Sequence, residues 1–218
     1  MPSEDYMERA RDERDDTFDA DEERHLVDGA DQDARDETTA ESDDDAVTFA
    51  SLGLPEEILE AVTDMGFRVP TPIQAAAIPP LLELRDVVGI AQTGTGKTAA
   101  FGLPLLAIVD ADERDVQALV LAPTRELAMQ SAQAIEDFAA RTARLDVVPV
   151  YGGSPYGPQI GALKRGAQVV VGTPGRVIDL IEKGALDLSN VRMLVLDEAD
   201  EMLRMGFAED VETIASSA

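Results

Sequence analysis

The chain has no cysteine, no tryptophan, a single histidine and only three lysines among 218 residues. Without cysteine there is no disulfide framework, no thiolate metal site and no cysteine nucleophile. His25 has no second histidine or cysteine to complete a metal site, and it is expected to be neither ligand nor base. No apolar run reaches the roughly 20 residues that span a bilayer. The N-terminal residues are acidic and polar, unlike a secretory signal. These features predict an intracellular, cytoplasmic protein with no membrane partner.

What is abundant is negative charge. Lys+Arg total 18 against 44 Asp+Glu, a formal net of −26. A nucleic-acid binder is ordinarily basic, because neutralising phosphates releases counterions. The acidic balance suits a protein working in concentrated salt. The Debye length there falls to roughly 3 Å at 1 M, so self-repulsion is screened, while the charge keeps the chain soluble. The lysines are Lys97, Lys164 and Lys183, and arginine supplies the other cations. A halophilic source is therefore expected. The competing reading is an acidic tail on a mildly acidic domain.

Residues 1–45 hold 20 acidic and five basic side chains, a net of −15, and their few apolar residues follow no period. Such a segment cannot bury enough apolar surface to offset chain entropy and is expected to be disordered. Its alternative role is an acidic tail competing for a basic groove. From residue 46 onward the pattern is globular. Helices are expected at 54–65, with Gly66 as cap, and at 71–84, 97–109, 125–140, 159–165, 177–184 and from 209. Strands are expected at 86–91, 116–122, 145–151, 168–172 and 191–196. Apolar strands alternating with helices predict an α/β fold, a parallel sheet with helices on both faces.

Two motifs carry chemistry. Ala91-Gln-Thr-Gly-Thr-Gly-Lys-Thr98 lies between an expected strand and a helix. Its glycines free backbone N–H groups for phosphates, Lys97 can reach the β- and γ-phosphates, and the Thr98 hydroxyl can bind Mg²⁺. The first glycine of the usual pattern is replaced by Ala91. The helix N-terminus strengthens the anion site. Asp197-Glu-Ala-Asp200 follows the apolar strand 191–196. An acid at the C-terminal end of a strand lies where α/β sheets bind ligands. Asp197 can hold magnesium, and Glu198 can orient the attacking water. Alone, the acids would read as an ordinary helix start.

Together with Pro123-Thr-Arg-Glu-Leu-Ala128, Gly152-Gly153 and Thr173-Pro-Gly-Arg176, these motifs occur in the order found in DEAD-box RNA helicases. The chain resembles the first RecA-like domain of that family over about 47–218. Gly66-Phe-Arg-Val-Pro-Thr-Pro-Ile-Gln74 and the upstream Phe49 resemble its Q motif, spanning 47–75. With the acidic composition, the resemblance points to a halophilic archaeon.

The resemblance implies roles. ATP would be held by Gln92, Thr93, Gly94, Thr95, Gly96, Lys97 and Thr98. Gln74 would read adenine, Phe67 would stack on it and Phe49 would support that pocket; for both phenylalanines the alternative is core packing. Catalysis would rest on Lys97, Asp197 and Glu198, with magnesium on Thr98 and Asp197. RNA would be gripped through sugar and phosphate by Pro123, Thr124, Arg125, Gly152, Gly153, Thr173, Pro174, Gly175 and Arg176. Local arginines reconcile RNA binding with the acidic whole. The family continues past a Ser-Ala-Thr strand into a second RecA-like domain that supplies transition-state arginines. By comparison the last strand of the first domain is missing here, which predicts a gap in the sheet with exposed apolar edges. The alternatives are a non-catalytic ATP- and RNA-binding fragment acting with another chain, and a P-loop ATPase acting on DNA.

Overall fold

Four short aliphatic runs form the sheet. In the computed structural model, which describes residues 47–92, 94–141 and 145–218, they are β1 (Ala118–Leu121), β2 (Val147–Val150), β3 (Val169–Gly172) and β4 (Met193–Leu196). The expected tail, with His25, and Thr93 lie outside the described residues. All pairings are parallel, in the order β2-β3-β1-β4.

Side chains alternate across a strand. Ala118 and Val120 therefore enter one core, while Leu119 and Leu121 enter the other. The first face is covered by α1 (Glu56–Asp64), α2 (Pro72–Leu82), α3 (Lys97–Ile108) and α4 (Arg125–Phe138). The second is covered by α5 (Tyr156–Lys164), α6 (Pro174–Glu182), α7 (Ala199–Arg204) and α8 (Ala208–Ala215). β1 is wholly buried, and truncating Leu119 to alanine should cost about 2–5 kcal/mol. This is the α/β arrangement expected from the sequence.

Several boundaries differ. α5 and α6 begin three residues earlier than expected, behind Pro155 and at Pro174. Proline fits a first helical turn, where its missing N–H costs nothing, so residues that read as loop start helices instead. The short α7 was not anticipated as a separate helix. Gly66 takes the left-handed conformation (φ 83°) just beyond α1, as a helix cap requires.

The strand expected at 86–91 does not form. This segment is irregular, and Val88 and Ile90 are 93% and 95% exposed. An apolar run becomes a strand only where a neighbour takes its N–H and C=O groups, and no described strand pairs with it. β4 is correspondingly an edge of the described sheet, with Leu196 exposed. The opposite edge, β2, carries Pro149, a residue tolerated at sheet edges.

Candidate nucleotide and RNA site

The parallel sheet brings the C-terminal ends of all four strands to one rim. The segments after β1, β2, β3 and β4 are 123–125, 151–153, 173–176 and 197–198. They include most of the residues singled out in the sequence.

The phosphate loop meets this rim through its lysine. Gly96 (φ 88°) precedes α3, and Lys97 is the first helical residue. Lys97 Nζ donates to Ala91 O at 3.1 Å and forms an ion pair with Glu198 Oε1 at 2.7 Å. Gln92 O accepts from the Thr95 hydroxyl at 2.6 Å, tightening the loop. Thr98 is half-buried in the first turn of α3, and Gly94 is exposed.

Gln74 is 1% exposed and spans two elements. Its Oε1 accepts from Thr71 N at 2.9 Å, and its Nε2 donates to Gly96 O at 3.2 Å. A β-carbon at position 96 would collide with that amide, so glycine is required there for contact as well as for φ. Phe49 is buried, edge-on to Phe67 at 6.1 Å, and Phe67 is edge-on to Phe138 at 6.3 Å. Phe67 keeps part of its surface exposed. The two phenylalanines thus brace the Q-motif segment against α4.

Asp197 follows β4, and its N–H donates to Leu121 O at 2.9 Å. Its Oδ2 accepts from Ser131 Oγ at 3.0 Å. Burial raises the Asp197 pKa above the usual carboxylate value. The Ser131 bond opposes this, the Glu198 charge adds to it, and the Lys97 charge and the Glu198 N–H oppose it. Glu198 stands in the left-handed region (φ 52°, ψ 49°). For a non-glycine residue this costs of order 1–3 kcal/mol, and such strain clusters at functional sites.

On the rest of the rim, Pro123 is buried and Thr124 caps α4 by accepting from Leu127 N at 3.3 Å. Arg125 is exposed, its guanidinium 4.7 Å from the Tyr151 ring centroid. Gly152, Gly153 and Gly175 are exposed, Thr173 is half-buried and Pro174 is buried. Arg176 behaves differently from Arg125. It is buried, donates to Gln159 Oε1 at 3.0 Å and Ser154 O at 3.1 Å, and lies 4.1 Å from the Tyr156 centroid. Its guanidinium anchors the glycine-bearing segment from beneath.

Among the described residues, the buried Arg176 Nε lacks a hydrogen-bond partner, and the buried Thr71 Oγ1 has only the Gln74 backbone N–H of its capping box facing it. One adjoins Gln74 and the other belongs to the rim. Unpaired buried polar atoms are uncommon and call for an explanation, such as a ligand. Sequence reasoning missed Ser131. It is a serine on the buried stripe Ala128, Ser131, Ala132, Ile135 and Phe138 of α4, and a polar residue on such a stripe signals a specific partner.

A glycine-rich loop opening a helix, with its lysine paired to an acid beyond a parallel strand, defines the P-loop class of α/β nucleotide-binding domains. The family model described as DEAD/DEAH box helicase matches residues 71–218. The chain belongs to that family. It is 60% identical over 170 residues to the ATP-dependent RNA helicase DeaD of Haemophilus influenzae, covering 78% of this chain and 28% of that protein. To the Escherichia coli K12 protein of the same name it is 60% identical over 167 residues, 77% of this chain and 27% of the other. A DEAD box protein crystal structure from Methanococcus jannaschii superposes with a TM-score of 0.75 at 46% identity, covering 78% of this chain and 47% of that one. A structure from Sulfolobus tokodaii, titled hypothetical ATP-dependent RNA helicase, gives 0.70 at 41% identity, covering 76% and 47%. The fold is RecA-like. The chain spans under a third of the length of these curated relatives.

Proposed function

We propose that residues 46–218 bind ATP with magnesium and grip RNA, as the ATP-binding portion of an ATP-dependent RNA helicase. The ion pair of Lys97 with Glu198 carries this reading: it joins the phosphate loop to the acid expected to handle water. The matched DeaD relatives are named as ATP-dependent RNA helicases, which supports the same activity.

Gln74 suits adenine. A glutamine amide has two N–H donors and two acceptor lone pairs. One donor and one lone pair hold Gly96 and Thr71. The remaining pair matches adenine N7 and N6–H. Thr95, Gly96 and the α3 N-terminus receive the phosphates. Lys97 leaves Glu198 for the phosphates, and Glu198 turns to orient the attacking water. Magnesium would be held by Thr98 and Asp197. Among the described residues no cluster of three or more acids, histidines or cysteines is arranged for a metal. A magnesium ion held by one or two protein oxygens plus phosphates needs none, so the hard oxygens of this pair fit. When bound, the ion neutralises charge on the phosphates.

Arg125, Thr124, Gly152, Gly153, Thr173 and Gly175 offer an RNA backbone charge, hydroxyls and accessible N–H groups. Pro123, Pro174 and Arg176 fix these segments. The contacts are largely independent of sequence. Among the described residues no helix is long and apolar enough to cross a membrane. The acidic, lysine-poor composition supports a chain suited to concentrated salt, as in a halophilic archaeon.

The unpaired edge of β4 and the exposed Val88 and Ile90 favour a second reading, in which the chain binds ATP and RNA without turnover and acts with another chain or a second RecA-like domain. Lys97→Ala in the 218-residue protein should weaken binding of a fluorescent ATP analogue roughly 10–100-fold, the loss of a hydrogen-bonded contact to a charged phosphate. Unchanged affinity overturns the phosphate site. RNA-stimulated hydrolysis by this chain favours the first reading, and ATP binding whose hydrolysis stays absent even when a second RecA-like domain is supplied favours the second.

A further inference from the structure

We infer that Ser131, in the middle of α4, is a positioning residue for the Asp197 carboxylate that receives the divalent cation. This rests on the proposed role of Asp197.

Ser131 is 4% exposed, and its hydroxyl donates to Asp197 Oδ2 at 3.0 Å. Serine in a helix commonly bonds back to its own backbone or faces solvent. Here it bonds to a carboxylate 66 positions away. Its neighbours on the same stripe, Ala128, Ala132, Ile135 and Phe138, are apolar and buried. A buried hydroxyl on such a stripe is costly unless paired, and Asp197 is the partner present. The carboxylate is held by the Ser131 hydroxyl at Oδ2. With that oxygen engaged, the rotation of the carboxylate is restricted, and an incoming cation meets it at a preferred angle. Hydrogen-bond partners that orient metal ligands act in this way, and losing one typically costs ~10–100-fold in metal affinity.

α4 also starts at the rim, with Thr124 as its cap and Arg125 as its first residue. The helix that would meet RNA at one end therefore holds the magnesium carboxylate two turns further along.

The test compares Ser131→Val with Ser131→Thr, side chains of nearly equal shape of which only threonine keeps the hydroxyl. A fluorescent ADP analogue is bound to the 218-residue protein while Mg²⁺ is titrated, with a parallel measurement in EDTA. Ser131→Val should raise the Mg²⁺ concentration for half-maximal binding ~10-fold, Ser131→Thr should stay within ~2-fold of the parent, and EDTA affinities should agree. Ser131→Ala replaces Ser131→Val if the latter does not fold. Asp197→Asn is the control. If it shifts the midpoint while Ser131→Val and Ser131→Ala do not, the Ser131 inference is overturned and the site stands. If Asp197→Asn leaves the midpoint unchanged, the magnesium reading of Asp197 fails, and the inference with it. A loss shared equally by the valine and threonine variants assigns Ser131 a packing role and also overturns it.

Discussion

Lys97 Nζ and Glu198 Oε1 stand 2.7 Å apart across 101 positions of sequence. Both side chains are about one quarter exposed, at 23% and 24%. Solvent screening therefore keeps the pair's contribution to stability modest, and its meaning is local. The ion pair neutralises the loop lysine. On the proposed ATP reading, a phosphate taking Lys97 would displace the Glu198 carboxylate and leave it to orient water, so that binding and the freeing of Glu198 would be one exchange.

The raised pKa of Asp197 gives a pH prediction. The folded protein keeps this proton to higher pH than the unfolded chain, whose carboxyl titrates near ~3.9. Ionisation therefore costs stability as pH rises through and above that value. Asp197→Asn removes the cost and retains an acceptor for Ser131. Without nucleotide or magnesium, its thermal midpoint should exceed that of the parent at about pH 7, and the gap should shrink towards about pH 4. A variant less stable at neutral pH, with a gap independent of pH, overturns the assignment.

The two rim arginines should separate in their effects. Arg125 is exposed, so Arg125→Ala should change stability by no more than about 1 kcal/mol, the scale of its exposed contact with the Tyr151 ring. It should weaken RNA binding and reduce the salt slope by about one. Arg176 is buried in a network with Gln159, Ser154 and Tyr156. Arg176→Ala should cost roughly 1.5–3 kcal/mol, as hydrogen bonds to a charged group do. Thermal melts and RNA titrations at several salt concentrations distinguish them. Equal stability losses in both variants would contradict the burial difference.

Salt should stabilise the chain. With a net of −26, self-repulsion is relieved as the Debye length falls from roughly 10 Å at 0.1 M to 3 Å at 1 M. The thermal midpoint should rise continuously between these concentrations of potassium chloride. A flat or falling midpoint would count against adaptation to concentrated salt.

The sheet and its two helical faces were legible because aliphatic runs such as Ala118–Leu121 and Val169–Gly172 leave few alternatives to buried parallel strands. The glycine-rich loop with Lys97 and Thr98 stands out for a different reason, since a phosphate site asks for those residue types at that spacing before a helix; the Asp197-Glu198 pair alone reads as a helix start and takes its expected role only from its company with that loop and the family resemblance. The segment 86–91 misled because its composition resembles a strand, whereas pairing depends on a neighbour that local sequence does not reveal. Arg176 enters the RNA set through the Thr173-Pro-Gly-Arg176 motif, and its inward course depends on Gln159, Ser154 and Tyr156, none of which the motif contains. Ser131 escaped notice because its partner is distant in sequence.

Helix α4 has a thermodynamic consequence. It is a 14-residue rod, with Arg125 at one end and Ser131 bonded to Asp197 near its middle. If RNA engages Arg125 and magnesium engages Asp197 as proposed, both ligands address one packed helix, and any coupling between them would be reciprocal: the factor by which the polyanion changed magnesium affinity would equal the factor by which magnesium changed polyanion affinity.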